Sequence, residues 1–409
     1  MVSHIAELLE KPQELELLYR QDKAGFQREF DRIYPEISIH PVAQAWHARL
    51  HYSTTTEATT ANHWFLIVTC LLAGFLAKLP DFFPIAEEFY YPRNIGFFVF
   101  PFLIATFAWQ RDLPVRTLTI MGLLIALVCV WINSLPDSAS SDTLILSCIH
   151  VPLLLWSVLG FAYASTDTVR RIEFLRYNGE LLVMTGIILI AGGLLTAITL
   201  GLFELINVNI QEFYFRYIVI WGLASAPLVG TFLVQNQPQL VDKVSPVIAR
   251  VFSPLVLITL VAYISAVLYT GKDPYTDRDF LIVFNLLLIG VMAIVFFAVA
   301  ERSGSDSGRF HLIVLAGISI AAILVNGIAL SAILFRIGEW GITPNRMAVL
   351  GGNILILINL LIVALRLVQT LLYQKPLKAV EESIARFLPV YAVWTCVVVF
   401  LFPLLFQFR

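Results

Sequence analysis

The chain has 409 residues, 58% of them hydrophobic and only 14% charged, where an ordinary soluble domain carries about 25% charged residues. A mean hydropathy of +0.81 and apolar runs of about 20 residues recurring from Trp64 exclude a soluble enzyme, a disordered chain and a coiled coil. A formal net charge of -2 leaves no basic footprint for nucleic acid. The class is an all-α, polytopic membrane protein whose partner is the lipid bilayer.

Residues 1–62 form a polar segment. Glu7, Glu10, Lys11, Glu14 and Glu16 interrupt it, so it holds no apolar stretch of a secretory signal. Pro12 suits a first helical turn, and Leu15, Leu18, Tyr19, Phe26, Phe30 and Ile33 fall near one side of a helix that Pro35 is expected to end. A second short helix is expected from Pro41 to Tyr52, and Ser53–Thr60 reads as a linker. Such a segment falls below the roughly 70 residues at which a lone core suffices, so it is expected to pack on the cytoplasmic face of a membrane domain, residues 63–409. Residues 12–52 are then the candidate surface for a protein partner.

From Trp64 the apolar runs give eleven candidate spans, near 64–80, 94–110, 115–135, 143–164, 180–203, 213–234, 248–270, 279–300, 310–335, 345–372 and 386–407. Lysines and arginines gather in the loops on the side of the N-terminal segment, among them Arg111, Arg116, Arg170, Arg171 and Arg176. The loop with Asp137 and Asp142 has none, so the N-terminus is expected inside and the C-terminus outside. Pro101, Pro152, Pro227, Pro254 and Pro403 are placed to kink or break spans. Gly222, Ala226 and Gly230, Gly193 with Ala197, Gly317 with Ala321, and Gly327 with Ser331 form small-residue ridges for close helix approach. Cys70, Cys129, Cys148 and Cys396 lie in apolar runs without CxxC spacing and read as buried thiols.

Three stretches carry a resemblance. The first is Pro12, Leu15, Leu18-Tyr19-Arg20, Lys23, Phe26, Phe30, Tyr34-Pro35-Glu36, Trp46, Arg49-Leu50 and Tyr52. The second is Tyr91-Pro92-Arg93-Asn94-Ile95-Gly96, and the third is Gly338 with Gly341-Ile342-Thr343-Pro344-Asn345-Arg346. Together they resemble the bacterial membrane-protein family called "domain of unknown function 4153", in its Bacteroidetes form, over nearly the whole chain. The resemblance implies a multi-spanning protein of the bacterial inner membrane and brings no catalytic residues with it.

Polar groups in lipid need a reason. Asn285, Asn326, Asn353 and Asn359 fall within expected spans, where they either hydrogen-bond across helices or line a solute path. His150 lies about two turns inside the fourth span, as a satisfied core histidine or a proton relay. Glu212 and Arg216 stand four apart, a spacing for a local ion pair. Arg336, Glu339 and Arg346 flank a helix start at Pro344, with Thr343 as its N-cap. They could hold an anion there, or anchor the helix ends. His47 and His51 share a helix face but need His40 or His63 to complete a metal site, and no metal or other cofactor is expected. The loop Gly271–Asp279 reads as a solvated turn. There is no HExxH, GxSxG or GxxxxGK[ST], so no catalytic residue is assigned. The sequence favours a small-solute transporter or channel. The alternatives are a sensor or assembly component docking through its N-terminal helices and, third, a membrane-embedded enzyme. Oligomeric state is not encoded in any pattern here.

Overall fold

The computed structural model describes residues 5, 6, 8–21, 23–50, 63–137, 141–205, 208–236, 253–258, 260–262, 264, 265, 269, 275, 278–301 and 309–408. All regular structure among them is helical. The chain divides into two compact units, Met1–Asn62 and His63–Arg409.

The first unit holds a 3-10 turn, Leu8–Glu10, then α1 (Pro12–Gln21), α2 (Lys23–Ile37) and α3 (Pro41–Leu50). The apolar positions from 12 to 35 do not share one continuous helix. Tyr19 meets Phe26 edge-on with ring centroids 5.6 Å apart. Seven residues along one helix would rise about 10 Å, so α1 and α2 fold against each other. Pro35 lies inside α2, which runs two residues past it. Leu15, Phe26, Phe30 and Ile33 bury themselves with Ile5, Leu8, Leu9, Ala43 and Trp46 in a core drawn from this unit's own residues. The expectation that so short a segment lacks a core is therefore corrected: three helices and a turn close round the rings of Phe26, Phe30 and Trp46, where two helices could not. The Ser53–Thr60 linker and His51 lie outside the described residues.

The second unit comprises α4 (His63–Ala77), α5 (Leu79–Phe82), α6 (Glu87–Asn94), α7 (Phe100–Gln110), α8 (Val115–Ser134), α9 (Asp142–Ala164), α10 (Thr168–Leu205), α11 (Gln211–Phe213), α12 (Ile220–Asn236), α13 (Arg278–Ala300), α14 (Arg309–Trp340), α15 (Pro344–Tyr373), α16 (Lys378–Cys396) and α17 (Phe402–Leu405). Among the described residues seven helices are long and apolar enough to cross a membrane: Val115–Ser134, Asp142–Ala164, Thr168–Leu200, Gln211–Asn236, Arg309–Trp340, Pro344–Tyr373 and Lys378–Leu405. Shorter apolar helices are His63–Ala77, Ser253–Ala262 and Phe284–Ala300.

Seven is fewer than the eleven apolar runs, for identifiable reasons. The run at 64–80 yields a helix of 15 residues, short of the roughly 20 a crossing needs. The run at 94–110 is broken: a 3-10 turn, Ile95–Phe98, precedes a kink at Val99, because Pro101 has no N–H to return to Phe97. At 279–300 the helix α13 runs unbroken from Arg278 to Ala300, with the side chains of residues 278–280 and 283 outside the described set, and the run at 248–270 falls partly outside the described residues.

Two π-helical turns interrupt long helices, at Tyr214–Val219 and Val397–Leu401. A π turn frees a carbonyl from the regular ladder. The Val399 carbonyl accepts from Trp131 Nε1 at 3.0 Å and Ser147 Oγ at 3.3 Å, stitching α8 and α9 to the end of α16.

The small-residue ridges are used only in part. A Cβ at Gly230 would meet Thr185 and Leu181, but Gly222, Gly193 and Gly327 face open space. The close approaches fall instead at Gly74 under Trp221, Gly179 under Phe297 and Gly351 under Trp394. Each seats an aromatic ring against a helix backbone, a contact that small-residue spacing within one helix does not reveal.

Candidate functional site

A cavity of about 540 Å³ opens beside the broken segment, lined by residues of α4 to α8 and the turns between them. Its walls are apolar, with Leu76, Leu79, Ile85, Phe89, Phe97 and Pro101 among them, and its polar side chains are Tyr90, Asn94, Cys129 and Asn133. Val130 lines it from α8 and is itself 69% exposed. Leu123 and Leu127 continue that exposed apolar side of α8.

Local chemistry fixes these walls. Arg93 is 2% exposed, and its guanidinium donates to the carbonyls of Ile132 (3.1 Å) and Leu135 (3.0 Å) and to Asp137 (3.1 Å). It thereby satisfies C-terminal carbonyls of α8 that no residue within the helix can reach. Beside it, Asn94 and Asn133 exchange hydrogen bonds, and the Tyr90 hydroxyl donates to the Leu76 carbonyl at 2.8 Å. On the other side Gly96 lets the 3-10 turn approach Pro152 and Leu155 of α9.

Next to the cavity wall stands a charged cluster. Asp81 bridges Lys78, which is 2% exposed, and Arg216 at 3.1 Å. Burial draws the Asp81 carboxyl upward, but the hydrogen bonds and charges of Lys78 and Arg216 outweigh it and hold the group below its usual range. The expected Glu212–Arg216 ion pair is not formed. The wider π turn from Tyr214 carries Arg216 off the face of Glu212, and its guanidinium reaches Asp81 instead. A second cavity, about 410 Å³, lies over Phe213, Tyr217, Ile218 and Trp221.

The other candidate residues are built into the packing. Asn326 donates to the Asn353 carbonyl (3.1 Å) and Asn353 to Asn285 Oδ1 (2.8 Å), joining α13, α14 and α15. Asn359 donates to the Tyr391 hydroxyl (3.0 Å), which donates to Met292 Sδ (3.2 Å). Neither cavity is lined by any of these asparagines. His150 Nδ1 sits 2.8 Å from the Leu146 carbonyl one turn back and belongs to neither chain.

Arg346 donates to the carbonyls of Trp340 (2.7 Å) and Gly341 (2.6 Å), while Arg336 donates to the Tyr275 carbonyl (2.9 Å). Both guanidiniums lie over the Trp340 ring, and Glu339 is exposed. Thr343 Oγ1 accepts from the Arg346 N–H as an N-cap. Here the arginines close a helix end, and the geometry favours anchoring over an anion site.

His47 stacks on Tyr34 at 3.7 Å. Among the described residues no three His, Cys, Asp or Glu side chains converge as for a metal. The Gly271–Asp279 loop lies largely outside the described residues.

Comparison with known proteins gives nothing. No family model, no curated protein and no solved structure matches the chain. The site therefore rests on its own geometry. Arg93, Asn94, Asn133 and Asp81 are its polar framework, and reading the sequence span by span missed their roles. The available signal was an arginine–asparagine pair entering one apolar run and an asparagine closing the next.

Proposed function

We propose that this chain is a multi-pass membrane transporter for a small, largely apolar solute that enters sideways from the bilayer at the α4–α8 groove. One observation carries the reading: an apolar cavity of about 540 Å³, with a few fixed polar groups, set against a broken helix. Small-molecule sites have this size and make-up, and broken helices recur at transport sites. The exposed apolar side of α8 supports entry from hydrocarbon.

Most apolar residues of 12–34 are engaged in their own core, Leu17 being exposed, which weakens docking through residues 12–52 as the alternative. An embedded enzyme has less support still, because Arg216, Arg336 and Arg346 are engaged with neighbouring protein groups. On the transporter reading the shorter runs cross too, giving eleven spans with the N-terminus inside, as positive charge in the loops suggests. The resemblance to domain-of-unknown-function-4153 proteins supports a bacterial inner-membrane location.

The test is leaflet exchange in proteoliposomes, read by dithionite quenching of a single-chain NBD-labelled amphiphile, with sodium and chloride flux measured in parallel. Faster exchange that Val130→Trp abolishes is expected. Ion flux without amphiphile exchange, or neither, overturns the proposal.

A further inference from the structure

The polar wall of the groove is nearly one-sided in its hydrogen bonding. Asn94 Nδ2 has two hydrogens, engaged by the Tyr90 carbonyl at 3.0 Å and Asn133 Oδ1 at 2.9 Å. Asn133 Nδ2 has two, engaged by Asn94 Oδ1 and the Cys129 carbonyl, both at 2.9 Å. Neither amide can be turned over. Exchanging oxygen and nitrogen would press each Oδ1 against a main-chain carbonyl four residues back, acceptor against acceptor. The single hydrogen of the Tyr90 hydroxyl goes to the Leu76 carbonyl.

What these side chains still offer is lone pairs, on Asn94 Oδ1, on Asn133 Oδ1 and on the Tyr90 oxygen. The one side-chain donor left among the lining residues is the Cys129 thiol, a weak one. No charged side chain lines the cavity. A carboxylate, phosphate or ester entering here would set acceptor against acceptor and lose its hydration for nothing.

We infer that the groove selects a neutral single-chain amphiphile carrying a hydrogen-bond donor, a hydroxyl above all, and discriminates against the same chain ended by an ether or a carboxylate. This rests on the groove being the solute site, and it adds the chemical class of the solute. The apolar chain lies along Leu76, Leu79, Phe97 and Val130, and the hydroxyl donates to the asparagine pair or to Tyr90.

The experiment uses the full chain in lipid nanodiscs with three diazirine-bearing ten-carbon probes: the alcohol, its methyl ether and the acid. Adducts are mapped by peptide mass spectrometry. The expected result is labelling among residues 76–133, with the alcohol ahead of the ether by about fivefold, one net hydrogen bond, and ahead of the acid. Excess 1-decanol should compete it away, and Val130→Trp should remove it without loading the core, since that side chain is mostly exposed. Equal groove labelling by alcohol and ether, or preference for the acid, overturns the donor rule and leaves the groove as a site. Absence of groove labelling by every probe overturns both the rule and the groove reading beneath it.

Discussion

Asn94 and Asn133 lie 39 residues apart and exchange two hydrogen bonds of 2.9 Å, one in each direction. The pair closes the polar end of the groove and ties the broken segment to the last turn of α8. Asn133→Leu leaves the Asn94 amide oxygen without its donor and one Asn94 N–H without its acceptor, at an expected cost of about 1–3 kcal/mol. Asn94→Leu with Asn133→Leu removes both partners and should cost less than the sum of the singles by at least about 1 kcal/mol. Chemical unfolding in detergent of the four proteins measures it. Additive losses would mean the amides do not support each other.

Arg93 reaches three acceptors at once because its guanidinium is a planar fork. A lysine has three donors on a single nitrogen, which cannot stand both where Nη1 meets the Ile132 and Leu135 carbonyls and where Nη2 meets Asp137. Arg93→Lys is expected to destabilise by about 2–4 kcal/mol. It should also speed hydrogen exchange at residues 130–137 more than in the middle of α8. Uniform exchange along α8 would show that the cap is not what holds this end.

The lowered pKa of Asp81 sets a pH dependence with a definite sign. A depressed carboxylate contributes stability that is complete above its unfolded pKa, about 4, and that is lost as pH falls through the folded value. Asp81→Asn should therefore cost about 1–3 kcal/mol at pH 7, the buried-pair cost being discounted because Arg216 is half-exposed. The gap between wild type and variant should shrink steadily as pH drops below 4. Melting temperatures in detergent at several pH values measure it, and a gap that widens in acid contradicts the assignment.

Glycines seated under rings behave differently from glycines facing open space. Gly351→Ala drives a methyl into Trp394 and should cost about 1–3 kcal/mol. Gly222→Ala meets nothing and should be neutral or stabilising by up to about 1 kcal/mol, the helix-propensity gain. Thermal unfolding of the two variants side by side distinguishes them, and equal losses would deny the ring contact.

Much of this architecture is legible in the sequence because the bilayer imposes a one-dimensional rule. A helix satisfies its own backbone groups, so an apolar run such as 115–135 or 345–372 declares itself by length and composition alone. Thr343 as an N-cap and the break near Pro101 follow for the same local reason, since each concerns a donor or acceptor within one turn. The asparagines in α13, α14 and α15 were likewise visible as polar groups in lipid. Sequence could not say whether they line a path or bind one another, because that depends on which helices are neighbours.

Tertiary structure decided the rest. Arg216 has Glu212 at the right sequence spacing but pairs with Asp81, 135 residues away, because a π turn rotates it off the local face. The apolar side of residues 12–34 looked bare until α2 folded back on α1 and Trp46 closed the core. The groove itself exists only because Arg93 and Asn94 meet carbonyls and an amide more than 35 residues further along the chain. Sequence by itself determined which segments must be helices in lipid, since backbone hydrogen bonding is local. Only the folded chain decided which polar atoms face each other and which lone pairs are left over, since side-chain hydrogen bonding depends on distances in space.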